Sequence, residues 1–134
     1  MKPYEIKIIK TLEPGRIQDL IINFIETSGA SWCHKARFYS WDDANEAHEV
    51  KYDLVIDDNL EFFKNRWSIE LLVDDPSSAD NAQKVVRFGW KKLKWALERE
   101  EIRRHVMDFL DENDDAITCD CIIQVAVFKE IVYG

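Results

Sequence analysis

The stretch TCDCIIQVAVFKEIVY, residues 118 to 133, decides more of the fold than any other part of this chain. It is apolar almost throughout, whereas the ends of most domains are polar and fray. The residues from Ile122 to Phe128 predict a short packed helix, and those from Glu130 to Tyr133 predict a brief extended segment. We therefore expect the closing residues to be packed or paired inside the fold.

Strand and helix patterns precede this segment without the regular strand–helix–strand rhythm of a parallel sheet. Helical spacing of apolar residues predicts a helix over 16–28 and another from Trp90 toward Glu101, with the stripe continuing to Asp111. Strand patterns fall at 4–8, 32–39, 50–56, 67–73 and 85–88. We predict an α+β fold: an antiparallel sheet of about four to five strands, with about two to three helices packed on one face.

Length and composition indicate one compact domain over residues 1–134, large enough to bury its own core. No apolar run reaches the roughly 18 residues that span a membrane, and residues 1–6 lack a signal-peptide layout. The three cysteines are an odd number, which argues against a disulfide scaffold. We expect reduced thiols, a cytoplasmic location and no membrane partner.

Charge is distributed in blocks along the chain, whose net charge is −8. Residues 42–75 hold eleven acids and three bases, whereas residues 84–104 hold eight bases and three acids. The net charge makes direct binding of DNA by the molecule as a whole unfavourable. Two outcomes are open: the acidic and basic blocks form separate charged surfaces, or folding brings them together into one surface of mixed charge.

The acidic block is the first candidate site. Its carboxylates can imitate phosphates and occupy a basic groove that otherwise holds nucleic acid on another protein. The residues of this partner-binding surface are Asp42, Asp43, Glu46, Glu49, Asp53, Asp57, Asp58, Asp74 and Asp75. The partner expected from this chemistry is a host protein or a protein–nucleic-acid complex.

A basic, aromatic helix is the alternative ligand-binding site. Cations beside an aromatic platform suit a nucleotide or a single strand. Its residues are Lys91, Lys94, Trp95, Arg99, Arg103 and Arg104. The competing interpretation is an amphipathic helix that buries Trp90, Leu93 and Leu97 and leaves its cations in solvent or paired with neighbouring glutamates.

Catalytic and metal-binding patterns are weak. One candidate set of cysteine and histidine ligands for a metal consists of Cys33, His34, Cys119 and Cys121. Its C-x-C spacing is not the spacing usual in zinc sites. No nucleophile elbow or phosphate-binding glycine loop is present in the sequence. We predict no catalytic residues, no metal site and no cofactor, and therefore a protein that is not an enzyme.

Two segments resemble a known family. Ser31-Trp32-Cys33 and the ending D-C-I-I-Q-x-A-x-F-x-E-I-V-Y-G, residues 120–134, are similar to small uncharacterised phage and prophage proteins of gut bacteria. Lys129 stands where that motif has glycine, which leaves open whether the helix ends in the left-handed conformation that glycine favours. The resemblance implies a phage accessory protein in the host cytoplasm and brings no catalytic residues.

Together these observations predict a phage accessory protein that binds and inhibits a host nucleic-acid-handling defence complex, of anti-CRISPR or anti-restriction type, through its acidic surface. One alternative is a binder that sequesters a nucleotide signal on the basic helix. A second alternative is a structural or assembly protein without a ligand, which forms homo-oligomers through its apolar C-terminus.

Overall fold

The structure, a computed structural model, describes residues 12–28, 31–42, 44–56, 61–80, 82–113 and 115–133, without the side chains of residues 27 and 28. Its four strands are β1 (Cys33–Trp41), β2 (Ala47–Val50), β3 (Trp67–Asp74) and β4 (Gln83–Phe88). They form one antiparallel sheet in the order β2-β1-β3-β4.

Six α-helices belong to the described part of the chain. They are α1 (Pro14–Asn23), α2 (Tyr52–Val55), α3 (Glu61–Lys64), α4 (Trp90–Leu97), α5 (Arg103–Leu110) and α6 (Ala116–Phe128). A π-helical turn, Phe24–Ser28, extends α1, and a 3-10 turn, Glu100–Ile102, leads into α5. None of these helices combines the length and apolar character that crossing a membrane requires.

The sheet has a buried face and an open face. Along β3, Trp67, Ile69, Leu71 and Val73 are buried, whereas the residues between them are only partly covered. This period of two is the strand alternation that separates a core face from a solvent face. Phe38 lies opposite Ile69 and is buried with it, so the core lies on one side of the sheet, with the helices.

Helix α6 is the central element of the core. From Thr118 to Ala126 every residue except the partly buried Asp120 is buried, as expected of a helix that is apolar on most of its sides. The side chain of Asp115 caps its first turn by accepting a hydrogen bond from the Thr118 N–H at 2.8 Å. Its other end stops at Lys129, whose φ of 68° and ψ of 0° are left-handed. The lysine therefore adopts the conformation for which the family motif uses glycine.

The α+β class and the antiparallel sheet are confirmed, and the helix predicted from Ile122 to Phe128 is confirmed but begins earlier, at Ala116. The strand predicted over 50–56 is wrong, because only Val50 belongs to β2 and the chain then turns into α2. There Tyr52 and Val55 face the core at helical spacing, with the Tyr52 ring 5.6 Å from that of Phe38. The strand predicted at 4–8 lies outside the described residues.

The prediction of two to three helices is wrong, since the described residues contain six. Two of these, α2 and α3, are only four residues long and show no repeating period. The helix predicted from Trp90 to Asp111 is divided, because the extended backbone of Arg99 separates α4 from the 3-10 turn and α5. The sheet has four strands within the described ranges, and a fifth is not found there.

Candidate functional site

Part of the predicted acidic surface lies along the outermost strand, β2. Asp42 and Glu46 occupy the turn between β1 and β2, Glu49 lies on β2 itself, and Asp53 lies in the first turn of α2. All four side chains are exposed. Among the described residues β2 pairs with β1 alone, so β2 is an edge strand of the sheet there. We call these four residues the acidic edge.

Hydrogen bonds organise the turn within the acidic edge. Asp42 accepts from the Glu46 N–H at 2.9 Å and pairs with His48 Nε2 at 2.7 Å. These contacts, the Glu46 N–H first, lower the pKa of Asp42 and keep the carboxylate charged. Within the described residues, Glu46, Glu49 and Asp53 form no ion pair, so their charges are available to a partner.

Asp74 and Asp75 are far from the acidic edge. The pairing of Cys33 with Val73, and of Ser40 with Trp67, places them at the opposite end of β1, about 26 Å away by strand rise. They are also engaged locally. Asp74 pairs with His34 at 2.7 Å, and Asp75 accepts from the N–H and hydroxyl of Ser77, which lowers the pKa of Asp75.

The predicted acidic residues therefore divide into two groups. Asp42, Glu46, Glu49 and Asp53 lie on β2 or in the segments directly before and after it, whereas Asp74 and Asp75 bond locally at the end of β3 and in the turn that follows it. Asp43, Asp57 and Asp58 lie outside the described residues. The sequence alone shows only that these acids share a block, because the pairing of strands decides which of them meet.

The predicted basic helix is also divided. Lys91, Trp95 and Arg99 follow one another at four-residue spacing, which places them on one side of α4 and its end. The Arg99 guanidinium lies 4.4 Å from the centroid of the Trp95 ring, and its Nε donates to the Trp95 carbonyl at 3.0 Å. Lys94 is exposed on α4, whereas Arg103 and Arg104 lie beyond the break, on α5.

The burial expected for an amphipathic α4 holds only in part. Leu93 is fully buried and Leu97 is partly buried, in agreement with the pattern. Trp90 is 41 % exposed and Trp95 is 37 % exposed, so the expected burial of Trp90 is wrong. The reason is that Leu93 and Ala96 define the buried side of the helix, and the tryptophans flank it.

The two segments that carry the family resemblance meet in the core. The indole Nε1 of Trp32 donates to Asp120 Oδ1 at 2.9 Å, and Trp32 is 1 % exposed. Gln124, on α6, donates to Asp120 and to the Tyr133 carbonyl, both at 3.0 Å. Its Oε1 accepts from the backbone N–H groups of Val132 and Tyr133 at 2.9 and 2.8 Å.

Gln124 thereby uses the full hydrogen-bonding capacity of its amide, two donors and two acceptor lone pairs. The Tyr133 hydroxyl adds a bond to the Asp74 carbonyl at 3.1 Å. Burial and internal bonding leave these groups little room for a ligand. We call Trp32, Asp120, Gln124 and Tyr133 the motif cluster; its contacts are those of a folding element.

The thiols lack the character of nucleophiles. Burial raises the pKa of Cys33 to about 11, against a smaller opposing contribution from hydrogen bonding with the Lys35 backbone. Burial also raises the pKa of Cys121, and Cys119 is buried in the core. Since the thiolate is the reactive form, neither Cys33 nor Cys121 is activated at neutral pH.

One group of side chains has the donor types of a metal site. Asp42, Glu46 and His48 each offer one ligand atom, and these atoms lie within 4.8 Å of one another. Two carboxylates and an imidazole suit several first-row divalent ions. All three side chains are exposed, and Asp42 and His48 already bond each other.

The sequence reasoning missed a row of residues on β1. Lys35, Arg37, Tyr39 and Trp41 occupy alternate positions, on the face opposite the buried Phe38. The alternation of outward and inward residues along β1 was present in the sequence as a period of two, but the net charge of the whole chain favoured the acidic block as the candidate site.

Comparisons with protein-family models, curated proteins and solved structures found no match for this chain.

Proposed function

We propose that this protein is a non-enzymatic binding protein that contacts another protein through the acidic edge. The observation that supports this proposal is the exposure of Asp42, Glu46, Glu49 and Asp53, which lie on β2 or in the segments directly before and after it. In the described part of the chain, their one ionic partner is His48, which pairs with Asp42. Such a surface attracts a basic partner and accelerates its association.

The partner proposed is a host nucleic-acid-handling defence complex, of the CRISPR or restriction type. Proteins of this kind bind the phosphate backbone through lysine and arginine side chains. Carboxylates on a rigid sheet edge can occupy such a groove in place of phosphates. The resemblance to phage proteins supports the setting: an accessory protein acting in the cytoplasm of a bacterial host.

The test removes charge from the acidic edge and leaves its shape intact. The variant carries Asp42→Asn, Glu46→Gln, Glu49→Gln and Asp53→Asn. Binding to purified CRISPR and restriction complexes is measured by surface plasmon resonance over a salt series. We expect wild-type binding to weaken steeply with salt, and the variant to lose roughly tenfold or more in affinity.

A matched control removes the same number of charges elsewhere. Asp80→Asn, Glu98→Gln, Glu101→Gln and Asp111→Asn replace carboxylates that are also exposed. This control should bind as the wild type does, apart from the small effect of the net charge. Equal losses in the two variants would show that net charge, and not the acidic edge, decides binding.

A second candidate function is nucleotide binding on α4. The observation that favours it is the exposed Trp95 ring with the Arg99 guanidinium stacked on it and Lys91 one turn away. It ranks second because Arg99 already covers part of that ring and bonds the backbone of Trp95. Calorimetry with a panel of mono-, di- and cyclic nucleotides tests it. Binding should disappear in Trp95→Ala; an absence of heat with the wild type would exclude it.

A further inference from the structure

The open face of the sheet carries cations and aromatic rings in one row. Alternate residues of β1 point to opposite faces, and the register shift between Cys33 and Lys35 sets which ones face outward. Because Ala36 and Phe38 pair with the buried Leu71 and Ile69, their neighbours along β1 face away from the core. The outer face thus includes the cations Lys35, Arg37 and Arg87 and the rings of Tyr39 and Trp41. The same register places three carboxylates on it: Glu49 opposite Tyr39, Glu70 opposite Arg37, and Asp74 at the far end of β3, where it pairs with His34.

The outer face is accessible in the described structure. Val85 is 53 % exposed, and Lys35, Arg37 and Arg87 are exposed. The strand residues that are buried lie on the other face, against the helices. This face is therefore a flat platform, partly apolar, about as long as β1 itself.

The charge of the outer face differs from that of the whole chain. Arg37, Glu70 and Arg87 lie side by side across three strands, and Arg87 Nε bonds Glu70 Oε2 at 2.8 Å. The positive charge of Arg87 thereby compensates the negative charge of Glu70. In the residues that the structure describes, Lys35 and Arg37 form no ion pair. The cations of β1 remain available to an anion.

The aromatic end of the row is partly covered. The Arg66 guanidinium lies 4.3 Å from the centroid of the Trp41 ring, so it occupies one face of that ring and adds a cation at this end of the row. Tyr39 is half-buried between the neighbouring strands, where Glu49 and Ser68 lie opposite it. Side chains on one face of a strand repeat at about 6.6 Å, so two cations at one end of the row are followed by two rings at the other end.

We propose that the outer face binds single-stranded nucleic acid. Phosphates would meet Lys35 and Arg37, and bases would stack on Tyr39 and Trp41, as sheet surfaces with aromatic side chains do in single-strand binding. A duplex hides its base faces, so this platform favours a single strand over a duplex. The −8 charge of the chain works against binding, and the interaction is therefore weak and steeply dependent on salt.

Fluorescence anisotropy tests the proposal with labelled oligo-dT and oligo-U of about 20 nucleotides, and with a duplex of the same length. Lys35→Gln with Arg37→Gln should reduce the slope of log affinity against log salt by about 1.4, because two phosphate contacts are lost. Tyr39→Leu should weaken binding roughly tenfold through loss of stacking at unchanged charge.

The control is Lys91→Gln with Lys94→Gln, which removes two exposed cations from α4 and leaves the outer face intact. It should leave the salt slope unchanged. Circular dichroism and thermal melting establish that each variant is folded. The proposal is overturned if the wild type binds no single strand at low salt, if the duplex binds as well, or if the control and Lys35/Arg37 variants behave alike. Glu49 of the acidic edge lies opposite Tyr39, but no variant in this test changes it, so either proposal can fail alone.

Discussion

The indole ring of Trp32 and the phenol ring of Tyr133 lie stacked, with centroids 5.7 Å apart and planes within 6° of parallel. Trp32 precedes β1 and Tyr133 follows α6, so the stack joins two distant parts of the chain. Asp120 and Gln124 complete the motif cluster between them. The residues of the motif cluster are thus a structural unit, and the charged surfaces lie elsewhere.

Replacing Gln124 tests the structural role of the motif cluster. Gln124→Leu removes four hydrogen bonds and leaves the carbonyl and amides of the closing segment without their partner. We expect the free energy of unfolding to fall by about 2–4 kcal/mol, measured by urea denaturation. Gln83→Leu, at an exposed site on β4, should change it by less than about 0.5 kcal/mol. Similar losses in the two variants would contradict the role assigned to Gln124.

The left-handed end of α6 gives a stabilising prediction. Lys129 has a φ of 68°, a conformation that glycine adopts without steric strain and that other residues rarely adopt. Lys129→Gly should raise the free energy of unfolding by about 0.5–1 kcal/mol, after allowance for the greater freedom of glycine in the unfolded chain. Lys129→Ala keeps the strain and should give no such gain. A loss of stability in the glycine variant would mean that contacts of the Lys129 side chain stabilise the fold by more than its left-handed backbone destabilises it.

Much of the core could be predicted from the sequence, because periodicity reports which side of an element is buried. The continuous apolar run of α6 and the alternation of β3 are of this kind. The short helices α2 and α3 have too few residues to show a period. The burial of Gln124 depends on contacts between distant segments, which no local pattern contains.

The candidate sites were less predictable for a related reason. The sequence placed Asp42 and Asp74 in one acidic block, but antiparallel pairing puts them at opposite ends of the sheet. The row on β1 was visible as an alternation, yet its exposure depends on which face the helices cover. Net charge, summed over the chain, hid this local surface.

Gly89 is a point of close backbone approach between β3 and the start of α4. A Cβ atom at this position would lie 2.8 Å from the Trp67 carbonyl oxygen. Because that oxygen belongs to the backbone, the clash can be relieved only if the backbone shifts. Gly89→Ala should therefore lower the free energy of unfolding by about 1–3 kcal/mol. Gly15→Ala, in the first turn of α1, should be neutral or stabilising because alanine favours helix. Thermal melting of the two variants side by side checks the contrast; equal melting temperatures would refute it.

The thiol of Cys33 gives a prediction about pH. Burial raises its pKa from 9.0 to about 11, so the native thiol stays protonated where an unfolded one ionises. Alkylation of Cys33 by iodoacetamide, followed by peptide mass spectrometry, should show a midpoint near pH 11 in the native protein and near 9.0 in urea. The protonated native thiol therefore contributes to the free energy of unfolding, and this contribution is complete below pH 9.0 and is lost as the pH rises toward about 11. Coincident native and denatured midpoints would contradict burial of this thiol.

We propose that the acidic edge, and not the C-terminal segment over residues 118–133, makes the contact with a partner. The most direct measurement compares the affinity of wild type, the acidic-edge variant and the matched charge control for purified CRISPR and restriction complexes. We predict that the acidic-edge variant alone loses roughly tenfold or more in affinity while its melting temperature is unchanged. Wild-type affinity in a folded acidic-edge variant would contradict the claim.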